Sequence, residues 1–250
     1  MGHNAGVLVT TGVNNTLIGG LAGDALNSGS QNIAVGTAAL GSATTSANNI
    51  AIGADALGAL TTSARNVAIG TEALNGVMDT GTNTYNVAIG YQAGNDVTTG
   101  TLNTIVGGLA GKTITTGTSN VLMGYEAGEV LLDGAQNTLL GDQVSGGLTS
   151  GSENTYIGRR AASFATTGSN NLSIGAGSSL SSATVSNEAN IFNGSVVARF
   201  QGAASAWTFV SDERDKKDIE DLELGLDFID KLKPRKFKWD LRDSDTDKGK

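Results

Sequence analysis

The stretch NIAIGADALGALTTSAR (49–65) runs straight into NVAIGTEAL (66–74), and this pair decides the fold. An asparagine opens each phrase: Asn15, Asn32, Asn49, Asn66, Asn86, Asn103, Asn120, Asn137, Asn154, Asn171 and Asn190. Eight of the ten intervals are 17 residues; the others are 20 (Asn66 to Asn86) and 19 (Asn171 to Asn190). A short fixed period with one phrase per turn marks a solenoid, whose repeats pack only on their neighbours.

The columns of the repeat give its internal design. After each Asn comes a residue such as Thr16, Ile33, Ile50, Val67 or Val87. Two further on lie Ile18, Val35, Ile52, Ile69, Ile89, Val106, Met123, Leu140, Ile157 and Ile174. Alternate positions share one face of a strand, and β-branched residues suit it, so these two columns are expected to fill the coil. The position between them, from Leu17 through Ala51 and Ala68 to Phe192, is then expected to point outward. Glycine closes the strand in every copy, from Gly19 to Gly194, and a Thr/Ser/Gly turn completes a coil expected to hold two short strands. A strand apolar on both faces must be covered on both. A thin coil cannot do this alone, so a second copy of the chain is the expected cover: a homo-oligomer, specifically a homotrimeric rod. The Asn column should stack as an amide ladder bonding the coils above and below. The fold class expected is all-β, a parallel β-solenoid or β-roll, with a short α+β C-terminal segment.

Composition narrows the function classes. The 36 glycines keep phase with the Asn column, which separates them from a flexible linker. There is no cysteine, which excludes a disulfide framework and thiolate chemistry, and the one histidine, His3, cannot build a His-based metal cluster. No metal or cofactor is expected. A net charge of −8 argues against a nucleic-acid partner, and no apolar run of spanning length argues for membrane insertion. Charge also divides the chain. Residues 1–210 hold 5 basic and 11 acidic side chains, whereas residues 211–250 hold 11 and 13. The expected domains are a shaft (1–194), a β-rich neck (195–210) and a separate C-terminal segment (211–250). Because Gly2 and Ala5 already keep phase with Gly19 and Ala22, the chain reads as a piece of a longer polypeptide.

Several motifs invite a function. VGGLAGKT (106–113) falls one glycine short of a phosphate-binding loop, and its counterpart IGGLAGDA (18–25) carries Asp24 where Lys112 stands. Asp55, Glu72, Asp96, Glu126 and Asp142 occupy turn positions without a regular Asp column, which argues against calcium-binding repeats. Tyr156, Arg159, Arg160 and Phe164 form the one basic and aromatic concentration of the shaft, suited either to a surface glycan or to rod packing.

The repeat phrase resembles the head repeats of trimeric autotransporter adhesins, and still more the repeat shafts of bacteriophage tail fibres and spikes. After the neck comes SDERDKKDIEDLELGLDFIDKLKPRKFKWD (211–240), in which Ile219, Leu222, Leu226, Phe228, Ile229 and Leu232 recur at roughly helical spacing up to Pro234. Ser211, Asp212, Arg214 and Lys216 spell the S-D-x-R-x-K hallmark that this segment shares with the endosialidase-type intramolecular chaperone, an auto-cleaving serine peptidase domain of phage tail proteins. The resemblance implies that three chains assemble and that the bond Val210–Ser211 is then cut once. Ser211 would be the nucleophile and Lys216 its base, with Asp212 and Arg214 in support. A lysine can accept a serine proton only when burial lowers its pKa, so cleavage would report assembly. The segment is shorter than the family's domain, so cleavage of the 250-residue chain is not expected.

The function expected is therefore a structural, host-attachment component of a phage virion, extracellular once assembled. Its expected partners are two further copies, other tail proteins and a host-surface glycan or protein. The rival readings are a bacterial trimeric adhesin head, which should end in an outer-membrane anchor, and a glycan-degrading spike, which should gather carboxylates on one coil face.

Overall fold

The computed structural model describes residues 2–201, apart from 77 and 79. Ten three-residue strands follow one another up a single parallel sheet: β1 (Thr16–Ile18), β2 (Ile33–Val35), β3 (Ile50–Ile52), β4 (Val67–Ile69), β5 (Val87–Ile89), β6 (Thr104–Val106), β7 (Val121–Met123), β8 (Thr138–Leu140), β9 (Thr155–Ile157) and β10 (Leu172–Ile174). The register advances by one repeat each time, as in Ile50↔Val67, Ala51↔Ala68 and Ile52↔Ile69. At about 4.8 Å per strand the ten coils rise to roughly 45–50 Å. The all-β parallel solenoid read from the 17-residue period is what the described residues form.

Each coil holds one strand, where two were expected; the rest is turn. Backbone conformation explains this. In the coil that begins at Asn49, Gly53 (φ 137°), Asp55 (φ 54°), Leu57 (φ 52°) and Arg65 (φ 64°) all have positive φ. These reversals bend the chain too sharply for a second strand. They also alternate the direction of the amides. Asp55 N–H donates to Thr37 of the coil before (2.9 Å), and Leu57 N–H donates to Ala73 of the coil after (3.0 Å). The strand-ending glycine admits no substitute, because a Cβ on Gly53 would lie 2.5 Å from the carbonyl of Gly70.

The two faces of the strand are the reverse of the expectation. The middle residue is inside: Ala34, Ala51, Ala68, Ala88, Ile105, Leu122, Leu139 and Tyr156 are fully buried. The β-branched columns lie on the outer face, with Ile18 51% and Met123 44% exposed. The reason is parity. The ladder asparagines are themselves buried, and alternate residues share a face, so Asn49 inside puts Ala51 inside and Ile50 and Ile52 outside.

The core is completed from the turns. The column Ala22, Ala39, Ala56, Ala73 and onward is buried, as are Leu26, Leu60, Met78, Val97, Ile114, Leu131 and Leu148. Size is exchanged between facing positions. Where the strand supplies Ala34, Ala51 and Ala68, the turn supplies Leu40, Leu57 and Leu74; where the strand supplies Ile105 and Leu122, the turn supplies Gly111 and Gly128. A Cβ on Gly111 would meet Leu122 Cδ1 at 2.7 Å and Ile114 Cδ1 at 2.8 Å. The exchange holds in these coils and lapses in the fifth, where Ala88 on the strand goes with Gly94 in the turn.

The amide ladder forms as expected. Asn103 Nδ2 donates to Asn86 Oδ1 (3.2 Å) on one side and to the Gly117 carbonyl (2.8 Å) on the other. Its Oδ1 accepts from the Asn120 N–H (3.0 Å) and Nδ2 (3.1 Å). The 20-residue interval is absorbed between Met78 and Asn86, since Thr61 N–H still bonds Met78 at the ordinary spacing while Val67 pairs with Val87. There Thr84 Oγ1 donates to Asn66 Oδ1 (2.7 Å), standing in for the Asn86 amide.

The last repeat departs from the expectation. Asn190 does not continue the ladder; Glu188, 17 residues after Asn171, does, and its N–H donates to Asn171 Oδ1 (3.0 Å). Asn190 instead pairs with Ser173 on the inward column. The buried Glu188 carboxylate accepts from Ser181 N–H (2.9 Å) and its hydroxyl, and faces Arg199 Nε at 3.3 Å. A carboxylate accepts and does not donate, so it ends a ladder that each amide would extend. Gly194 lies in the turn between β11 (Glu188–Phe192) and β12 (Val197–Gln201), which pair antiparallel. β12 covers the last parallel edge, and residues 202–210 of the expected neck lie outside the described residues. The expected helix over 219–232 lies outside the described residues.

Candidate functional site

The feature of the shaft that calls for a partner is its outer strand face. The third strand position is aliphatic or Met in all ten coils, from Ile18 to Ile174, and Ile191 extends it. Beside it runs a second column that includes Ile33, Ile50, Val67, Val87 and Val121. Stacked at strand spacing, these make one continuous apolar stripe about 45 Å long. A soluble chain rarely leaves so long a strip in water. The need for a cover survives the reversal of faces, but the residues that supply it are the β-branched columns, because the column from Leu17 to Phe192 lies on the inward face.

The other sequence candidates disperse. Tyr156 is in the core while Arg159 and Arg160 are exposed, so the basic and aromatic cluster does not form. Phe164, 77% exposed, instead flanks a shallow hollow with Leu180, Ser181 and Ser182. Burial pushes the Tyr156 hydroxyl pKa up to about 12, with the Glu188 charge adding to it; the Asn171 amide opposes the shift without a hydrogen bond of ordinary geometry. Glu72 accepts from Gln92 Nε2 (2.6 Å) and Glu126 from Gln143 Nε2 (2.7 Å), so both acids belong to side-chain ladders between coils. The bonds from Gln143 and Tyr125 hold the Glu126 carboxyl below its usual range. Among the described residues no group of three or more His, Asp or Glu could hold a metal ion. VGGLAGKT forms the end of β6 and its turn.

Two features were not legible as a group in the sequence. Exposed aromatics flank the stripe, Tyr85 on one side and Tyr91 and Tyr125 on the other. Arg65 lies 5.5 Å from the Tyr85 ring centre and donates to its hydroxyl at 2.5 Å. Their interval, one repeat with three extra residues, is the signal that could have joined them. The Glu188–Arg199 pair was hidden because Asn190 looked like the next ladder residue.

Ser211, Asp212, Arg214 and Lys216 lie outside the described residues. Their assignment rests on sequence, and there a comparison with known families speaks: residues 211–250 match the family described as Chaperone of endosialidase. No curated protein and no solved structure matches the chain. Among the described residues no helix is long and apolar enough to cross a membrane. The chain is a parallel β-solenoid of 17-residue coils leading into a segment that matches the chaperone of endosialidase, an arrangement consistent with a phage fibre shaft.

Proposed function

We propose that the protein is the homotrimeric shaft of a phage tail fibre or spike, a virion component that reaches from other tail proteins toward a host-surface receptor. The observation that carries this reading is the chaperone match at 211–250 directly behind a solenoid with an unpartnered aliphatic stripe. A chaperone that gathers three chains supplies the partners that the stripe lacks. The work of the shaft is mechanical: each coil adds about 4.8 Å of reach and is bonded to its neighbours through backbone and amide ladder.

The chaperone releases itself by cutting Val210–Ser211. Lys216, desolvated in the assembled trimer, takes the proton of the Ser211 hydroxyl. The oxygen attacks the Val210 carbonyl, the C–N bond breaks, and the Ser211 amine receives the proton. Water then hydrolyses the resulting ester, leaving a Val210 carboxylate and a free Ser211 N-terminus. Asp212 and Arg214 complete the supporting motif. The test is a polypeptide carrying the whole chaperone domain, expressed and its fragments sequenced. A downstream fragment that begins at Ser211 supports the reading, and Ser211→Ala should leave one intact chain that still trimerises. A fragment with any other start refutes the cleavage assignment.

A further inference from the structure

The stripe has two margins. One is the residue before each ladder asparagine; the other is the residue after each strand-ending glycine. At three of the ten heights the two margins are complementary, whereas pairs such as Arg65 with Thr71 and Gln136 with Asp142 are not matched in size or charge. Beside β6 stand Leu102 and Gly108, beside β7 Ser119 and Tyr125, and beside β9 Glu153 and Arg159. Large meets small twice, and acid meets base once. Beside β5 both are aromatic, Tyr85 and Tyr91. Leu102, Tyr125, Glu153 and Arg159 are all exposed, and neither Glu153 nor Arg159 has an ion-pair partner within the described chain. Within one chain the two margins cannot meet, since the strand lies between them.

We propose that three copies, parallel and in one register, close around the stripe so that one margin of each chain abuts the other margin of the next. This rests on the trimeric reading above and adds to it the mode of contact. The dimensions agree. Five residues from Asn154 to Gly158 span about 17 Å at about 3.3 Å each. Three such sheets drawn as an equilateral triangle stand about 5 Å from the axis, half of the roughly 10 Å at which sheets pack. The aliphatic columns then fill the prism, and the margins form its three corners. A threefold contact is heterologous, joining different patches of the same chain, which is what a matched pair of unlike margins requires. At the corner beside β9, Glu153 of one chain faces Arg159 of the next.

The test uses the absence of cysteine from the chain. In the full-length protein, Glu153→Cys with Arg159→Cys should oxidise to a covalent trimer on a non-reducing gel, because each chain makes two links. Either single variant should stay unlinked, since the three copies of one position occupy different corners. As a second measurement, Glu153→Arg or Arg159→Glu alone should lower the trimer's melting temperature, and the pair together should restore it. Covalent dimers from a single-cysteine variant would overturn the proposal in favour of a twofold contact. A trimer by sedimentation that forms no cross-link overturns the margin pairing and leaves the trimeric reading standing. A monomer by sedimentation overturns both.

Discussion

Replacing Asn103 by alanine removes four hydrogen bonds at once, two donated by its amide and two accepted by its Oδ1. Not all of the partners suffer equally. Asn86 Oδ1 keeps the Asn103 N–H (3.0 Å), and the Asn120 amide keeps the Gly134 carbonyl (2.8 Å). The Asn120 N–H and the Gly117 carbonyl are left unpaired. Each orphaned buried group costs about 1–3 kcal/mol, so the substitution should destabilise each chain by about 2–6 kcal/mol. The assay is equilibrium unfolding in urea, read by circular dichroism. Asn15→Ala serves as a comparison, since Asn15 is only half-buried at the first coil and should cost less. A loss near zero at Asn103, or an equal loss at both sites, would refute the ladder as a source of stability.

Two neighbouring substitutions separate the core from the interface. Ala68→Asp buries an unpaired carboxylate inside the coil and should unfold it, at about 3–5 kcal/mol, whereas Ile69→Asp should leave the coil folded and prevent assembly, both visible by circular dichroism and sedimentation. Ala68→Asp giving a folded monomer would restore the opposite assignment of faces. Tyr156, whose folded pKa of about 12 exceeds its ordinary value of 10.0, should bring a loss of stability as pH rises from about 10 to 12, because the unfolded chain ionises first. Tyr156→Phe should abolish that alkaline loss in thermal melts; an unchanged pH profile counts against burial as its cause. In a polypeptide with the whole chaperone domain, Lys216→Ala should block cleavage as fully as Ser211→Ala; intact cleavage by mass spectrometry would remove Lys216 as the base.

The solenoid was legible because its signal is arithmetic. Asn15 to Asn171 mark the coils, and glycines such as Gly53 mark positions that only glycine can hold. The chaperone segment was legible for a different reason, a compact motif from Ser211 to Lys216. The orientation of the strand was not read correctly, although the information was present. Aliphatic residues such as Ile52 look like core, and alanines such as Ala51 look neutral, so hydropathy pointed the wrong way. A buried Asn49 two residues before Ala51 fixes the face by period two, and a large middle residue such as Leu122, Leu139 or Tyr156 is matched by a small turn residue, Gly128, Ser145 or Ala162. The Ala51–Leu57 and Leu122–Gly128 exchanges are three-dimensional compensations that no single column displays. Glu188 was obscured for a similar reason: its role depends on Arg199 and Ser181, which only the hairpin of β11 and β12 brings to it. The margins of the stripe likewise become a pattern only when height along the rod is known.

On the trimeric reading, the aliphatic stripe is covered by two further copies of the chain. Sedimentation equilibrium of the purified protein tests it most directly, with one chain at 25.2 kDa. The expected result is a single species of three chains, independent of dilution across the micromolar range and converted to one chain by Ile69→Asp. A compact species of one chain for the unsubstituted protein would contradict it.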